Sequence, residues 1–553
     1  MMQLSRSTML TRWSIIVLWA AGMMPLAAQA TDWNYRVRPN DNIWDLSSRY
    51  LKPSIPWQKL QEYNQVADPL HLPPGMSLHI PIDWLRVQPA HASVVAVMGD
   101  AHALLPGQPQ AIAVKPAMSF GYGAHLTTGP DASLTLEFAD RSRVLMHGDS
   151  ELDLDQMSAY GQTGMVDTRL RLQHGRVSND VTPLSGPAAH FSVETPGTIS
   201  SVRGTHFRIA ADAGTKQSQA EVLTGRVDVA GGKGHLLVNK GHGVAVADGS
   251  RPGKDHLLLP APNLHCPEQP LRQQPYAFAW PAQQGAQHYR AQLAPTARFE
   301  VLIQDRRIDE PKIFLPDLPD GDYALRIHGI DEDQLEGLDA VCTIRIDGHP
   351  QPPLVLEPQS DSKVRDTRPS FRWTESQEIA SYAWQLASDA DFSQLLSDQP
   401  QIKSGNVRAP QNLAYGHYYW RIASRDNSGK LGPYSAPLPF ELIAEPPAPA
   451  LDAPKHSSHE LSLGWQPGAP GQHYRVQLAR TADFAKPAVD QTVDEPKLQI
   501  PRPGSGKWLV RVQTIDTDGY AGPWSSTQTV KLPCAACRIA AAGGGTVLLW
   551  LLL

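Results

Sequence analysis

The chain has 553 residues, a formal net charge of −6 and an isoelectric point near 6.4. This length exceeds what one ordinary core can bury and predicts several domains, and the acidic balance excludes a broad basic surface for nucleic acid. The 49 prolines and 42 glycines, beside only 19% charged residues, favour short strands and many turns over long helices, so we expect a mainly β, multidomain protein.

The first residues have the pattern of a secretory signal. Arg6 and Arg12 accompany the short apolar run SIIVLWAAGMMPLA, and the sequence AQA at 28–30 supplies the small residues that a signal peptidase needs. The alternative is an uncleaved anchor, although the run is shorter than the roughly 20 residues of a membrane-spanning helix. We therefore expect residues 1–30 to be removed and the mature chain to lie in the periplasm or cell envelope.

Residues 33–85 begin with a predicted strand followed by a helix. Tyr35 and Val37 alternate with arginines as in a short strand, and Asn40 or Asp41 can cap the helix that follows. The residues that recur at near-helical spacing in this helix are Ile43, Trp44, Leu46 and Ser47.

A second helix and a second strand complete this segment. The helix fits PWQKLQEYN, with Pro56 at its start and with Leu60 and Tyr63 facing inward. The segment PGMSLHIP then turns and returns as a strand through Leu78 and Ile80. The predicted order is β-α-α-β.

This pattern resembles the LysM domain through its first strand, the sequence DNIW at 41–44, Asn64 and the PGMSLHIP ending. The family usually has glycine at the position of Asn40, but asparagine also tolerates a positive φ angle. The resemblance implies binding of N-acetylglucosamine-containing polymers such as peptidoglycan. It also implies that the glycan lies in a groove between the loops 40–43 and 66–72.

These two loops contain groups that suit a glycan. Amide, carboxylate and backbone groups can bind acetamides, while apolar side chains can form walls for sugar faces. The alternative is that Asn40 and Asp41 only cap and turn the chain. The predicted glycan-binding residues are Asn40, Asp41, Asn42, Ile43, Val66, Asp68 and Leu70.

Residues 93–258 consist of short alternating runs separated by turns, which predict an all-β sandwich, roll or solenoid. In SLTLEFAD, for example, Leu134, Leu136 and Phe138 face one way while Thr135 and Glu137 face the other.

Three segments of this region, LRLQHGRV, VETPGTISSVRGTHFRI and VLTGRVDVAG, resemble the FecR domain of the ferric-citrate regulator and of many envelope proteins. Iron-signalling FecR proteins begin with a cytoplasmic segment and one membrane span, whereas here the signal-like segment and the LysM-like module occupy that place. Anti-sigma signalling across the inner membrane is therefore not the function that we expect first.

Most of the stretch VETPGTISSVRGTHFRI is explained by architecture. Pro196 ends one strand, Gly204 permits a bulge or a close backbone approach, and Phe207 and Ile209 return to the core. Arg203 could bind a carboxylate ligand or partner, or it could tie turns together by bonding carbonyls or an internal acid such as Glu194.

The second half of the chain contains three copies of one unit. Trp280, Trp373 and Trp465 recur 93 and 92 residues apart and are expected in the core. Leucine and phenylalanine keep the same offsets at Leu293, Leu386, Leu478, Phe299, Phe392 and Phe484. The units resemble fibronectin type III domains, which implies Ig-like β-sandwiches. The second and third copies end in GPYS and GPWS, an ending that the first copy lacks.

The four cysteines allow few disulfides. Cys266 and Cys342 could close one domain in an oxidising compartment. Cys534 and Cys537 form a lone C-x-x-C for which a local disulfide or unpaired thiols are both possible. The tail that follows ends in the apolar run VLLWLLL, whose association with a membrane is left open.

Familiar catalytic motifs and metal-spaced Cys/His sets do not occur in the sequence, so no cofactor and no enzymatic activity are expected. The expected organisation is a signal peptide (1–30), a LysM module (33–85), a FecR-like domain (93–258), three β-sandwich repeats (261–348, 351–444 and 447–532) and a tail (533–553). The expected function is a noncatalytic scaffold that binds peptidoglycan and presents its β domains to an unidentified envelope protein. The alternatives are a FecR-type regulator of envelope or iron-uptake signalling and a cell-wall enzyme with an unfamiliar β active site.

Overall fold

A computed structural model describes residues 31–534 of the chain. The chain divides into two compact units between Asp347 and Gly348. The predicted signal peptide, Cys537 and the apolar tail lie outside the described residues. Strands dominate both units, as the composition predicts, and the two α-helices of the described residues lie near the N-terminus.

The N-terminal module has the predicted β-α-α-β order, and its first strand begins at Asp32, one residue before the expected boundary at 33. Its elements are β1 Asp32–Arg36, α1 Ile43–Tyr50, α2 Trp57–Tyr63 and β2 Ser77–Pro81, followed by the 3-10 turn Ile82–Trp84. Strands β1 and β2 pair antiparallel, with Tyr35 opposite Leu78. The α helices cover this two-stranded sheet and bury Leu46 and Leu60 against it.

The module shares its hydrophobic core with the domain that follows. Met165 and Ala189 lie outside the module in sequence, yet both are buried in the same cluster as Tyr35 and Ile43. Burial of these side chains favours a fixed arrangement of the two parts, because separating them would expose apolar surface to water.

The central domain (residues 93–258) contains most of the strands β3 to β20, whose pairings close on themselves around one apolar core. These strands are β3 Val87–Pro89, β4 Ala92–Met98, β5 Ala101–Leu104, β6 Ile112–Ala113, β7 Ser119–Phe120, β8 His125–Thr128, β9 Ser133–Glu137, β10 Arg143–Met146, β11 Ser150–Tyr160, β12 Val166–Asp180, β13 His190–Glu194, β14 Ile199–Val202, β15 His206–Asp212, β16 Gln217–Thr224, β17 Arg226–Gly231, β18 Gly234–Asn239, β19 His242–Ala247 and β20 His256–Leu257. Phe207 and Ile209 are fully buried, as predicted.

The long strand β12 connects the two sheets of the central domain. Its first half pairs with β11 and β13, and its second half pairs with β10 and β15. The change of partner occurs at Gly175, which has a φ of 91° and where a Cβ atom would lie 2.5 Å from the carbonyl oxygen of Asp149. Only glycine fits this backbone conformation without strain.

Three β-sandwich repeats follow the central domain, each with its own hydrophobic cluster. Trp280, Trp373 and Trp465 are 2–5% exposed, which confirms their predicted place in the cores.

All strands of repeat 1 belong to the first compact unit, which ends at Asp347, and repeats 2 and 3 belong to the second. The strands of repeat 1 are β21 Ala277–Ala279, β22 His288–Ala294, β23 Gln304–Ile308, β24 Lys312–Phe314, β25 Gly321–Ile330 and β26 Ala340–Ile346. The strands of repeat 2 are β27 Val355–Glu357, β28 Ser362–Val364, β29 Ser370–Trp373, β30 Ile379–Ala387, β31 Leu395–Ile402, β32 Asn406–Arg408, β33 Gly416–Asp426 and β34 Leu438–Leu442. The strands of repeat 3 are β35 Lys455–His456, β36 Glu460–Gly464, β37 His473–Ala479, β38 Val489–Val493, β39 Lys497–Pro501, β40 Gly506–Ile515, β41 Ala521–Trp524 and β42 Gln528–Leu532.

Candidate functional site

The two loops predicted to form a glycan groove meet in the structure. The backbone N–H of Ile43 donates to the carbonyl oxygen of Pro69 at 2.9 Å. Asp68 stabilises the second loop, because its carboxylate accepts a hydrogen bond of 2.9 Å from the backbone N–H of Leu70 and lies 2.9 Å from Nδ1 of His71. The loops therefore form one continuous surface at the start of α1.

The polar residues of the first loop have different tasks. Asn40 is exposed and adopts a φ of 70°, the conformation that the family usually gives to glycine. Asp41 accepts hydrogen bonds of 2.7 Å from the hydroxyl of Tyr35 and from the backbone N–H of Arg38. Asn42, rather than Asn40 or Asp41, is the N-cap of α1, since its side chain accepts from the backbone N–H of Asp45 at 2.8 Å.

Burial, together with the hydrogen bond to Asp41, raises the pKa of Tyr35 to about 12. The protonated hydroxyl donates to the carboxylate of Asp41 and holds it in the loop. The carboxylate of Asp41 thus stabilises the loop, and the amide of Asn40 is the exposed polar side chain of the loop.

The apolar wall differs from the one expected from the sequence. Ile43 is fully buried and Val66 is 9% exposed, so both side chains pack in the module's core and do not form walls for sugar rings. The reason is that Ile43 is the first residue of α1 and its side chain follows the inward face of the helix. The exposed apolar side chains are instead Leu70 (66%) and Trp44 (61%). Tyr63, which was expected to face inward, is 46% exposed.

Arg203 lies on the surface of the central domain. Its side chain is exposed, and among residues 31–534 its guanidinium has no hydrogen bond or ion pair. The expected tie to Glu194 is wrong, because the carboxylate of Glu194 lies 3.6 Å from Arg171 instead. The turn between β13 and β14 is held by Thr195, whose hydroxyl accepts from the backbone N–H of Thr198 at 3.0 Å and bonds Ser218 at 2.7 Å.

A cluster of charged residues that the sequence analysis missed joins the central domain to repeat 1, and we call it the junction. Arg208 on β15 is 5% exposed and donates to the backbone oxygens of Glu336 and Gly337 at 2.7 and 2.6 Å. The same guanidinium donates to Asp339 at 3.0 Å. The carboxylate of Glu336 bonds Arg176 of the central domain.

Further contacts surround this cluster. His147 of the central domain lies 2.8 Å from the carboxylate of Asp305, which also accepts from Arg290 at 2.9 Å. The hydroxyl of Thr135 donates to the backbone oxygen of Glu300 at 2.7 Å, which explains why Thr135 is buried although it faces away from the core of its own domain.

The electrostatics of the junction are set by burial and by its arginines. Burial alone would raise the pKa of Glu336, but Arg176, His328 and Arg290 outweigh it and hold the pKa well below its usual range. For Glu221 the balance is reversed, and burial raises its pKa to about 7 in spite of the nearby Arg208. Charges removed from water are stable only when they are paired and hydrogen-bonded, and this arrangement pairs most of them.

The junction could have been found by aligning the three repeats. An isolated bridge joins Ile330 to Glu336 in repeat 1, and the same bridge joins Arg425 to Leu431 in repeat 2. This register places Asp339 where repeat 2 has Tyr434. Repeat 1 thus has the acids Glu336 and Asp339 where repeat 2 has Leu431 and Tyr434, and this difference in the sequence indicates the junction.

Cys266 and Cys342 form a disulfide within repeat 1. Cys534 is the last described residue, and Cys537, with which it was expected to form a local disulfide or to remain unpaired, lies outside the described part of the chain. In the same described part, no group of three or more His, Cys, Asp and Glu side chains could hold a metal ion. The helices within residues 31–534 are all too short or too polar to cross a membrane.

Comparison with known families agrees with the two resemblances. Residues 35–81 match the model of the LysM domain, and residues 124–228 match the model of the FecR protein family. Both families are binding or regulatory domains that are typical of envelope proteins, and LysM domains bind peptidoglycan- or chitin-type glycans. No curated protein matches the chain.

Solved structures with similarity to parts of the chain include a candidate anti-sigma factor from Parabacteroides distasonis, at 12% identity over 24% of this chain and 59% of that one, with a TM-score of 0.20. The FN1–FN3 domains of chicken CNTN1 are 16% identical over 50% of this chain and 100% of theirs, with a TM-score of 0.24. Fibronectin(III)-like modules of Clostridium thermocellum CbhA are 14% identical over 32% of this chain and 92% of theirs, with a TM-score of 0.23. The chain thus spans about three fifths of the first of these structures.

Proposed function

We propose that this protein is a noncatalytic scaffold of the cell envelope. Its LysM module binds peptidoglycan, and its FecR-like domain and β-sandwich repeats face protein partners. The observation that supports the proposal is the hydrogen bond from Ile43 to Pro69, which joins the loops 40–43 and 66–72. Both loops lie in the segment that matches the LysM model.

The packing of the module supports a scaffold role. Met165 of the central domain is 1% exposed within the hydrophobic cluster of the LysM module. A module fixed in this way keeps the central domain at a defined place relative to the wall, whereas a module on a flexible linker would only limit its distance.

The test is retention of the chain from residue 31 on insoluble peptidoglycan. Trp44→Ser removes the 61% exposed side chain that follows the first loop, and Leu70→Ser removes the 66% exposed apolar side chain of the other loop. The double variant should lose at least about tenfold in affinity, since two apolar surfaces for sugar rings are removed. Leu237→Ser, at a 47% exposed leucine of the central domain, is the matched control and should bind normally. Equal retention of all three proteins would contradict the proposal.

The same assay separates the binder from a cell-wall enzyme. A scaffold leaves the sedimented glycan intact, whereas an enzyme releases soluble fragments from it over time. Release of fragments by the purified chain would replace the scaffold with the enzyme alternative.

A FecR-type regulator is the second candidate, and the match of residues 124–228 to the FecR model favours it. The exposed Arg203 would then be a contact for a signalling partner. A regulator predicts that Arg203→Gln abolishes a transcriptional response while retention on peptidoglycan remains normal. A scaffold predicts no such response in the parent strain.

A further inference from the structure

A cavity of about 460 Å³ lies between the LysM module and the central domain. One side is strand β1 with the residues that follow it, and the other side is the tip of the β11–β12 hairpin, represented by Gln162 and Thr163. The lining residues all lie outside the loops 40–43 and 66–72. The cavity is therefore separate from the predicted glycan groove, and it exists only because the two domains are packed together.

The inner wall of the cavity is aromatic. Trp33 is partly exposed and supplies most of the aromatic surface that lines it. Tyr35 and Tyr50 are only 4% and 5% exposed and pack against the Trp33 ring, with centroids 5.5 and 5.0 Å from it. A wall of this kind binds the apolar face of a sugar or a short aliphatic side chain.

The hairpin tip that closes the cavity is held in place on both sides. Thr163 donates through its hydroxyl to the carbonyl oxygen of Tyr160 at 2.6 Å and accepts from the backbone N–H of Met165 at 3.1 Å. The side chain of Met165 is itself buried in the LysM core. The cavity is thus formed before any ligand arrives, which lowers the entropic cost of binding.

The rim of the cavity is positively charged. Arg36 and Arg38 line it and are exposed, and within residues 31–534 their guanidinium groups have no hydrogen bond or ion pair. No aspartate or glutamate is among the residues that line it. Arg36 is the last residue of β1, and Arg38 lies two residues further on. Both are exposed while Tyr35 and Val37 are buried, so the alternation of the strand continues and places the arginines on the same side. Arginine pairs with carboxylates through two parallel hydrogen bonds.

We propose that this cavity binds the carboxylate-bearing peptide attached to a glycan strand. The peptide's carboxylate pairs with Arg36 and Arg38, and the adjoining sugar or aliphatic side chain packs on the aromatic wall. Strand β1 pairs only with β2 among the described strands, so its other edge offers backbone groups to the peptide. The inference rests on the proposed function and deepens it, because it makes the protein a reader of peptide-substituted glycan.

The test compares three soluble probes on the chain from residue 31 by calorimetry: a disaccharide unit carrying its peptide, an N-acetylglucosamine oligomer without carboxylates, and the free peptide. The peptide-bearing glycan should bind at least about tenfold more tightly than the oligomer, which is the usual effect of hydrogen bonds to a charged group. The double variant Arg36→Gln and Arg38→Gln should lose this advantage and bind the oligomer as before. Arg226→Gln, at an exposed strand arginine of the central domain, is the matched control and should retain it.

The outcomes separate this inference from the proposed function. Equal affinity of the parent chain for the first two probes, or an unchanged preference in the double variant, would overturn the cavity proposal while leaving wall binding in place. Tight binding of the free peptide alone would overturn the requirement for the adjoining sugar. Failure to bind any probe or insoluble peptidoglycan would reject the proposed function itself. Arg36→Lys with Arg38→Lys should restore part of the preference, because the charge returns without the paired hydrogen-bond geometry.

Discussion

All three repeats contain the same set of an arginine, a glutamine and a phenylalanine, which we call the polar frame, but the frame of repeat 1 has different neighbours from those of repeats 2 and 3. In each repeat an arginine on one strand donates to a glutamine on the neighbouring strand and lies over a phenylalanine ring. The three sets are Gln292, Arg326 and Phe299; Gln385, Arg421 and Phe392; and Gln477, Arg511 and Phe484. In repeat 1 another domain contacts this face, since Asp339 accepts from Arg208 of the central domain.

The difference arises at the end of each repeat. In repeats 2 and 3 the frame arginine also lies under an aromatic ring, at 4.5 Å from Tyr434 and 4.2 Å from Trp524. In repeat 1 Asp339 takes this place and bonds Arg208 of the central domain. The same arginine–glutamine pair therefore lies under an aromatic ring of its own repeat in repeats 2 and 3, and beside an acid that binds another domain in repeat 1. Two acidic residues, Glu336 and Asp339, make repeat 1 specific for the central domain without a change of fold.

The largest effect is expected from Glu336→Leu, which gives repeat 1 the residue of repeat 2. Arg176 and Arg290 would lose their shared carboxylate, and removing one partner of a buried ion pair costs about 3–5 kcal/mol. Denaturant unfolding of the chain should show this loss in the transition of the first compact unit, which contains the junction. Leu431→Glu in repeat 2 is the reciprocal control, at a partly exposed site, and should cost less than about 1 kcal/mol. Similar losses of unfolding free energy in both variants would show that the junction does not depend on the carboxylate of Glu336.

The disulfide of repeat 1 offers a second way to separate the repeats. Cys266 and Cys342 are 76 residues apart, and closing a loop of this size stabilises a domain by about 3–4 kcal/mol. Replacing both by alanine should lower the melting temperature of repeat 1 and leave repeat 2 unchanged. An unaltered melting curve for the alanine variant would contradict this prediction.

The pH dependence of the junction should change with Glu221→Gln. Because burial raises the pKa of Glu221 to about 7, the folded chain holds a proton that the unfolded chain releases near pH 4.5. The glutamate therefore supports folding below pH 4.5, and this contribution is lost as the pH rises towards 7, by about 2–3 kcal/mol.

Urea unfolding at pH 5 and pH 8 measures this contribution as a difference between the two proteins. Burial lowers the pKa of His147, so its titration acts in the opposite direction, but it does so equally in both. The stability of the glutamine variant relative to the parent should rise between pH 5 and pH 8. No change in this difference would mean that Glu221 is not protonated in the folded chain.

The smallest effect is expected from Trp524→Ala in repeat 3. The ring lies over Arg511, and loss of a partly exposed cation–π contact costs about 0.5–1 kcal/mol. Asp339→Ala in repeat 1 should cost more, because it leaves the buried Arg208 with one partner fewer. A larger loss of thermal stability for Trp524→Ala than for Asp339→Ala would contradict the comparison between repeat 3 and repeat 1.

Much of the fold could be predicted because its signals are local. Alternation placed Tyr35 and Phe207 in strands with buried side chains, and the spacing of Trp280, Trp373 and Trp465 identified three cores. The groove loops were also located correctly as neighbours, since Ile43 bonds Pro69.

The errors concern the direction of single side chains and contacts between domains. Ile43 was assigned to a sugar wall, but the first residue of a helix can face either way, and here it faces the core. Arg203 was the arginine for which a ligand contact or a structural tie was considered, whereas Arg208, five residues later, forms the junction. The residues of repeat 1 to which Arg208 donates lie more than a hundred residues away in sequence, and no local pattern predicts contacts over such a separation.

The central claim is that acids at the end of repeat 1 fix it on the FecR-like domain. The direct test introduces a specific protease site at Asn263, an exposed residue between β20 and Cys266, so that β20 stays with the central domain and the disulfide stays within repeat 1. The cleaved chain is then passed over a sizing column. The account predicts that the two fragments of the otherwise unaltered chain co-elute and that Glu336→Leu with Asp339→Tyr separates them. Fragments that separate without these substitutions, or that remain together with them, would contradict the claim.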